Sequence, residues 1–182
     1  MKIEGKFIYL KKIGISDASY IYKLRKKKNI SLYLHNPPKS LDAQKKWMID
    51  NIKNKKNLDF IILSKKNNKK IGTIALNNIT KRDAEWGRWI SQGNIIENIE
   101  SVIVLLDFGF NYLNLINLYS LTNMKNKKVV NFHKNTTALN KGTIKSFFLI
   151  RNKKVDAIKF SFNKKRFKLF KKKFQVMTGL AQ

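Results

Sequence analysis

Cysteine is absent from this 182-residue chain, which excludes disulfides, thiolate metal sites and a cysteine nucleophile. Two histidines, His35 and His133, are too few for a histidine-rich metal centre. No apolar run approaches the roughly 20 residues that a membrane span needs. The opening segment Met1-Lys2-Ile3-Glu4-Gly5-Lys6 has no signal-peptide core. Acidic residues are scarce, 11 against 39 lysines and arginines, for a formal charge of +28. Proline occurs only as Pro37 and Pro38, so that pair alone forbids regular structure on steric grounds. What is present is ordinary for a folded domain: hydrophobic residues make up 43% of the chain. The length suits one domain that buries roughly two-thirds of its unfolded surface. We expect a soluble, cytoplasmic protein without a metal site.

The positive charge has two readings. Basic patches attract polyanions such as RNA by counterion release. Yet only Arg25, Arg82, Arg88, Arg151 and Arg166 are arginine, and asparagine and isoleucine are abundant. A lysine-rich, asparagine-rich composition also arises from an AT-rich genome whatever the function, and nucleic-acid readers favour the arginine fork.

Periodicity divides the chain into short elements. Phe7-Ile8-Tyr9-Leu10 reads as a strand, followed by a helix capped by Ser16 that ends in Lys26-Lys27-Lys28. A loop from Tyr33 to Pro38 precedes a helix capped by Ser40. Leu58–Leu63 and Ile71–Leu76 form a hairpin around Asn67-Asn68, and Asp83 leads into a strand that carries Glu85. After a loop, Ser91 to Asn98, an apolar helix is expected over Val102–Leu113. A strand over Asn117–Thr122, a helix over Lys127–Lys134 and strands over Ile144–Ile150 and Val155–Phe162 complete the order β-α-α-β-β-β-α-β-α-β-β. That order predicts an α/β (α+β) domain with a mixed central sheet and helices on both faces, over residues 1–162. Residues 163–182 form a basic C-terminal tail that is able to extend as a helix.

Several blocks, in order and at suitable spacing, carry a family likeness. They are Pro37-Pro38-Lys39-Ser40 with Gln44-Lys45-Lys46-Trp47, Ala84-Glu85-Trp86-Gly87-Arg88-Trp89-Ile90, Leu106-Asp107-Phe108-Gly109-Phe110, and Asn126-Lys127-Lys128-Val129-Val130-Asn131-Phe132-His133. From Phe7 to about Phe162 the chain resembles the GCN5-related N-acetyltransferase (GNAT) superfamily. The likeness is to the branch that includes ribosomal-protein alanine, spermidine and nucleotide-sugar amine acetyltransferases. The resemblance implies an acyltransferase that moves an acetyl group from acetyl-CoA to a primary amine of an amino-sugar nucleotide, a polyamine or a protein N-terminus.

It also implies roles for particular residues. Glu85 would serve as base for the amine or orient it. His133 stands where the family usually has a tyrosine beside the sulfur, and a histidine of near-neutral pKa could donate a proton there. Asn126 matches the asparagine that holds the pantetheine arm, and the backbone of Trp89 and Ile90 would pair with its amides. Arg25, Tyr33, Trp47 and Trp86 would line the acceptor pocket. The tryptophans also suit core packing, Glu85 suits a lysine-paired surface position, His133 a surface site and Asn126 an ordinary helix cap.

The phosphate loop departs from the family pattern. Counting back from Glu100 and Val102 puts Asn94, Ile96 and Asn98 at the positions of the phosphate-binding glycines. The asparagines tolerate positive φ better than most residues, whereas Ile96 resists it and would fill phosphate space. Glu97 adds negative charge beside an anion site. This loop and the basic tail motivate the alternative, a non-catalytic domain of the same fold that binds RNA or the ribosome.

Overall fold

Phe60, Ile61, Ile62 and Leu63 are buried in succession, as befits a strand covered on both faces. Alternation sends Phe60 and Ile62 to one side and Ile61 and Leu63 to the other, into two separate cores. The computed structural model describes residues 1–179 and arranges this packing about one sheet. Its strands are β1 (Lys2–Glu4), β2 (Ile8–Lys12), β3 (Leu58–Ser64), β4 (Lys70–Asn77), β5 (Asp83–Ser91), β6 (Asn117–Asn123), β7 (Leu139–Ile150) and β8 (Lys153–Asn163). They lie in the order β1-β2-β3-β4-β5-β6-β8-β7. Every pair is antiparallel except β5–β6.

Helices α1 (Ala18–Lys26) and α3 (Leu41–Lys53) cover one face through Ala18, Ile21 and Met48. Helix α4 (Ile95–Asp107) crosses the other face between β5 and β6, with α5 (Lys127–Asn135) and α6 (Lys164–Met177) beside it. The mixed sheet with helices on both faces is therefore the architecture expected from the element order.

Several local expectations change. Ser16 is no cap: it lies inside a 3₁₀ turn, Ile15–Asp17, and the fully buried Asp17 anchors the turn. The Asp17 carboxylate accepts from Gly14 N at 3.0 Å and pairs with Lys70 at 2.7 Å and Lys11 at 3.2 Å. A short helix, α2 (Lys28–Ser31), extends what was read as the end of α1. Ser40 does cap α3, its hydroxyl accepting from Ala43 N at 3.1 Å. Helix α4 begins at Ile95, not Val102, and ends in a π turn over Phe108–Tyr112. The basic segment after Asn163 is the amphipathic helix α6, which sends Phe167, Phe170 and Phe174 into the main core.

Strand β5 carries the feature that positions the site. Thr73 pairs with Ile90 and Ala75 with Gly87, so Arg88 and Trp89 together oppose the single residue Ile74. This is a β-bulge, and Arg88 takes φ +48° to make it. The extra residue resets the alternation: Glu85 and Arg88 share one face, Trp86 and Trp89 the other. Gly72 flanks the bulge, and a methyl group there would collide with the Ile90 carbonyl. We expect Gly72→Ala to cost about 2 kcal/mol, as overpacked sites do, read as a lower urea midpoint.

Candidate active site

Strands β5 and β6 pair only from Asp83–Glu85 to Asn117–Tyr119, although β5 continues to Ser91 and β6 to Asn123. Beyond Glu85 they splay apart, and the β6-facing edge of β5 has no strand partner. A cavity of about 660 Å³ occupies the gap. Helix α5 starts just after β6 ends, so its N-terminus flanks this opening, as α4 does after β5.

Nine residues predicted for the site line this cavity: Glu85, His133, Trp89, Ile90, Asn126, Arg25, Tyr33, Trp47 and Trp86. They come from both faces of the sheet. On the α1/α3 side, Glu85 is half-buried, and Asn78 Nδ2 donates to its Oε2 at 3.4 Å. Burial raises the Glu85 pKa above the ordinary carboxylate value, against the opposing pull of Arg88, the Asn78 hydrogen bond and Lys159. Arg25 lines the same side, and its NH2 donates to the His35 carbonyl at 3.2 Å, which holds the Tyr33–Pro38 loop over the cavity. Asn123 Nδ2 secures the other side of that loop through the Tyr33 carbonyl at 3.4 Å. Burial, with the charge of Arg88, lowers the Arg25 pKa.

Trp86 lines the cavity from the face opposite Glu85. It follows Glu85 directly in β5, so its side chain points to the opposite face, where it is 2% exposed and packs 5.2 Å from the His133 ring. Trp89 joins it there because of the bulge, at 6.2 Å between ring centroids.

His133 is neither a surface residue nor a near-neutral acid. Its ring is 1% exposed and stacks on Phe160 at 4.3 Å, with Nε2 3.1 Å from Ser120 Oγ. Burial pushes its pKa down to about 3, so the imidazole is uncharged at physiological pH. Its NMR ring signals should not titrate between about pH 5 and 8. An unfolded histidine protonates near pH 6.5. Stability should therefore fall as pH drops from about 6.5 toward 3, by about 1.4 kcal/mol per unit from this group. Urea unfolding of His133→Gln against the parent chain at pH 5 and pH 7 checks that slope.

Asn126 caps α5, with its Oδ1 3.4 Å from Val129 N, so the cap and the place on the cavity wall coexist. Sequence reasoning passed over Arg88 and Ser120. Arg88 NH1 reaches Asp59 at 3.0 Å and Asn51 at 2.9 Å, and its guanidinium lies 5.0 Å from the Trp47 ring. Nothing in a strand-like run announces the bulge that turns Arg88 to this face. Ser120 could have been suspected only from its alternation with Leu118 in β6.

Asn94, Ile96 and Asn98 do not line the cavity. None of them takes positive φ. Asn94 is the extended N-cap of α4: its Oδ1 accepts from Glu97 N at 3.0 Å, and Glu97 Oε2 accepts from Asn94 N at 2.9 Å. Asn98 Nδ2 donates to the Gly93 carbonyl at 3.0 Å. Ile96 packs toward the core instead of into phosphate space, and with Lys6, Lys65 and Lys66 lines a second cavity of about 470 Å³. A reciprocal capping box thus occupies the Asn94 and Glu97 N–H groups at the start of α4, while those of Ile95 and Ile96 have no partner among the described residues. The splayed strands leave room for an extended arm, whereas the loop before α4 offers a pyrophosphate fewer free N–H groups and a carboxylate, Glu97.

The sequence matches the family described as acetyltransferase (GNAT) domain over residues 8–136. A search of curated proteins gives no significant match. Among solved structures, a GCN5-related N-acetyltransferase from Brucella melitensis superposes with TM-score 0.84 at 15% identity, over 97% of this chain and 84% of that one. Spermidine N-acetyltransferase from Vibrio cholerae, in complex with CoA and spermine, gives 0.79 at 21% identity over 90% and 99%. Apo FdhC, a nucleotide-linked sugar GNAT, gives 0.76 at 20% over 99% and 97%. These likenesses establish the shared fold, and the sequence match settles its affiliation: the chain belongs to the GNAT acetyltransferase family.

Proposed function

We propose that the chain is an N-acetyltransferase that moves an acetyl group from a pantetheine thioester, acetyl-CoA in this family, to a primary amine. The observation that carries this reading is Glu85, a carboxylate of raised pKa, beside the unpaired edge of β5. The amine nitrogen attacks the thioester carbonyl, the carbon–sulfur bond breaks, and the proton shed by the amine leaves through Glu85 or a water bound to it. Free N–H groups on the edge of β5 are suited to the oxyanion. His133, uncharged and hydrogen-bonded to Ser120, shapes the wall beside the thioester and does not supply the proton as an imidazolium.

Among the three acceptor classes, the cavity favours the amino-sugar nucleotide. Arg88 is paired with Asp59, whereas Arg25 makes no salt bridge among the described residues and reaches only the His35 carbonyl. An acceptor with a phosphate satisfies Arg25, and a polycation such as spermidine meets it with repulsion. The test is thiol release from acetyl-CoA and S-acetyl-pantetheine with an amino-sugar nucleotide, spermidine and an alanine-ended peptide. Turnover with the sugar nucleotide is expected. No thiol release with any amine, from protein shown to be folded, would refute the reading.

The capping box in the phosphate loop favours a second reading, a non-catalytic domain that docks an acidic partner such as RNA. That reading expects no turnover.

A further inference from the structure

The loop that should hold the pyrophosphate spends three of its N–H groups on its own side chains, yet the cavity between β5 and β6 is open. This asymmetry separates the two halves of the expected donor. Asn94 N is spent on Glu97 Oε2, Glu97 N on Asn94 Oδ1, and Gly93 N on Ser91 Oγ at 3.2 Å. The Glu97 carboxylate also places negative charge at the N-terminus of α4. A donor that offers the arm without the nucleotide avoids both obstacles.

Charge is distributed in step with this. Ten of the eleven acidic residues precede Phe108, and beyond Asp107 only Asp156 is acidic. Helices α5 and α6 lie side by side, joined by the Phe132–Phe170 contact at 6.3 Å and by Lys173 Nζ on the Asn135 carbonyl at 2.8 Å. Neither helix contains an acidic residue. Their exposed lysines, among them Lys127, Lys128 and Lys134 on α5 and Lys168 and Lys172 on α6, give the two packed helices a basic outer surface, and α5 begins beside the opening between β5 and β6.

The apolar residues on that face bear on the kind of partner. Phe167, Phe170 and Phe174 all turn inward, while Leu169, Val176 and Met177 are exposed. Aliphatic side chains among lysines suit an amphipathic acidic helix. They offer no aromatic platform for stacking bases, which single-stranded nucleic acid would use.

We propose that the acyl donor is an acidic carrier protein bearing a phosphopantetheine arm, docked on the α5/α6 face with its arm threaded between β5 and β6. This rests on the reading of the cavity as an acyl-transfer site. The balance is that of thioester aminolysis: the amine nitrogen gains the acyl group, the arm leaves as thiol, and the amine proton ends on sulfur.

The experiment compares dissociation constants for an acetyl-loaded bacterial acyl carrier protein, its apo form, acetyl-CoA, S-acetyl-pantetheine and a single-stranded RNA. The loaded carrier should bind at least tenfold more tightly than acetyl-CoA, the apo carrier or the RNA, and weaken as salt rises from about 50 to 200 mM. Charge reversal by Lys128→Glu with Lys168→Glu should weaken the carrier at least tenfold and leave S-acetyl-pantetheine within threefold. Glu97→Ala should tighten acetyl-CoA alone, since it frees an N–H and removes a charge.

Acetyl-CoA binding as tightly as the loaded carrier would overturn the proposal while leaving the acetyltransferase reading intact. Equal binding of loaded and apo carrier, or tighter binding of RNA, would also overturn it. Failure of all three acyl donors to bind would refute both.

Discussion

Glu85→Gln should lower kcat by about 10²–10³-fold with the best acceptor, while the Michaelis constant for the thioester stays nearly unchanged. Glutamine keeps the size and the hydrogen bond to Asn78 but cannot accept a proton. The pH profile separates lost chemistry from lost structure. Burial raises the Glu85 pKa, and Arg88, Asn78 and Lys159 only partly offset it. A base works when deprotonated, so the parent rate should fall as pH drops through that raised value. The glutamine variant should lack this acidic limb. Equal kcat in the two proteins would remove Glu85 from the chemistry and leave it a structural residue.

Glu100→Ala should have the largest effect on stability, a loss of about 3 to 5 kcal/mol in urea unfolding. The Glu100 carboxylate is 4% exposed and accepts from three successive backbone groups: Lys6 N at 2.7 Å, Phe7 N at 2.7 Å and Ile8 N at 2.8 Å. It thereby fastens α4 to the turn between β1 and β2. Alanine would leave three N–H groups without an acceptor, each of which costs about 1–3 kcal/mol where water cannot reach it. Gly5 belongs to the same arrangement, because a Cβ there would stand 2.7 Å from the Glu100 carboxyl carbon. Glu100→Gln should recover part of the loss, since its amide oxygen still accepts while its NH₂ faces donors. A change below about 1 kcal/mol for alanine would mean that water satisfies the turn.

Much of this architecture was legible in the chain itself. The continuous apolar run Phe60 to Leu63, the Ser40 cap and the strand around Glu85 each follow from local pattern and capping chemistry. The nine site residues that line the cavity follow instead from the family resemblance, which orders the blocks that carry them. The start of α4 was readable but misassigned. Asparagine followed three residues later by glutamate is a capping-box signature. Alignment of Asn94 to Asn98 with glycine positions hides it, because the same residues then look like a loop with an added charge.

The β5 bulge had no visible signal. Arg88 and Trp89 are ordinary strand residues, and only the pairing with β4 reveals that two residues oppose Ile74. This non-local fact decides that Trp89 shares a face with Trp86 and that Arg88 shares one with Glu85. The His133 environment was equally hidden. Its burial depends on Phe160 and Trp86, each more than twenty residues away in sequence.

The central claim is that the splay between β5 and β6 accepts a pantetheine arm and that the nucleotide half of CoA adds little. All three tryptophans, Trp47, Trp86 and Trp89, line that cavity and report on its contents. The most direct measurement is a tryptophan fluorescence titration with S-acetyl-pantetheine and, separately, acetyl-CoA. The account predicts saturable changes with both and affinities within about tenfold of each other. No response to either compound, or a response to acetyl-CoA at least a thousandfold tighter than to S-acetyl-pantetheine, would contradict it.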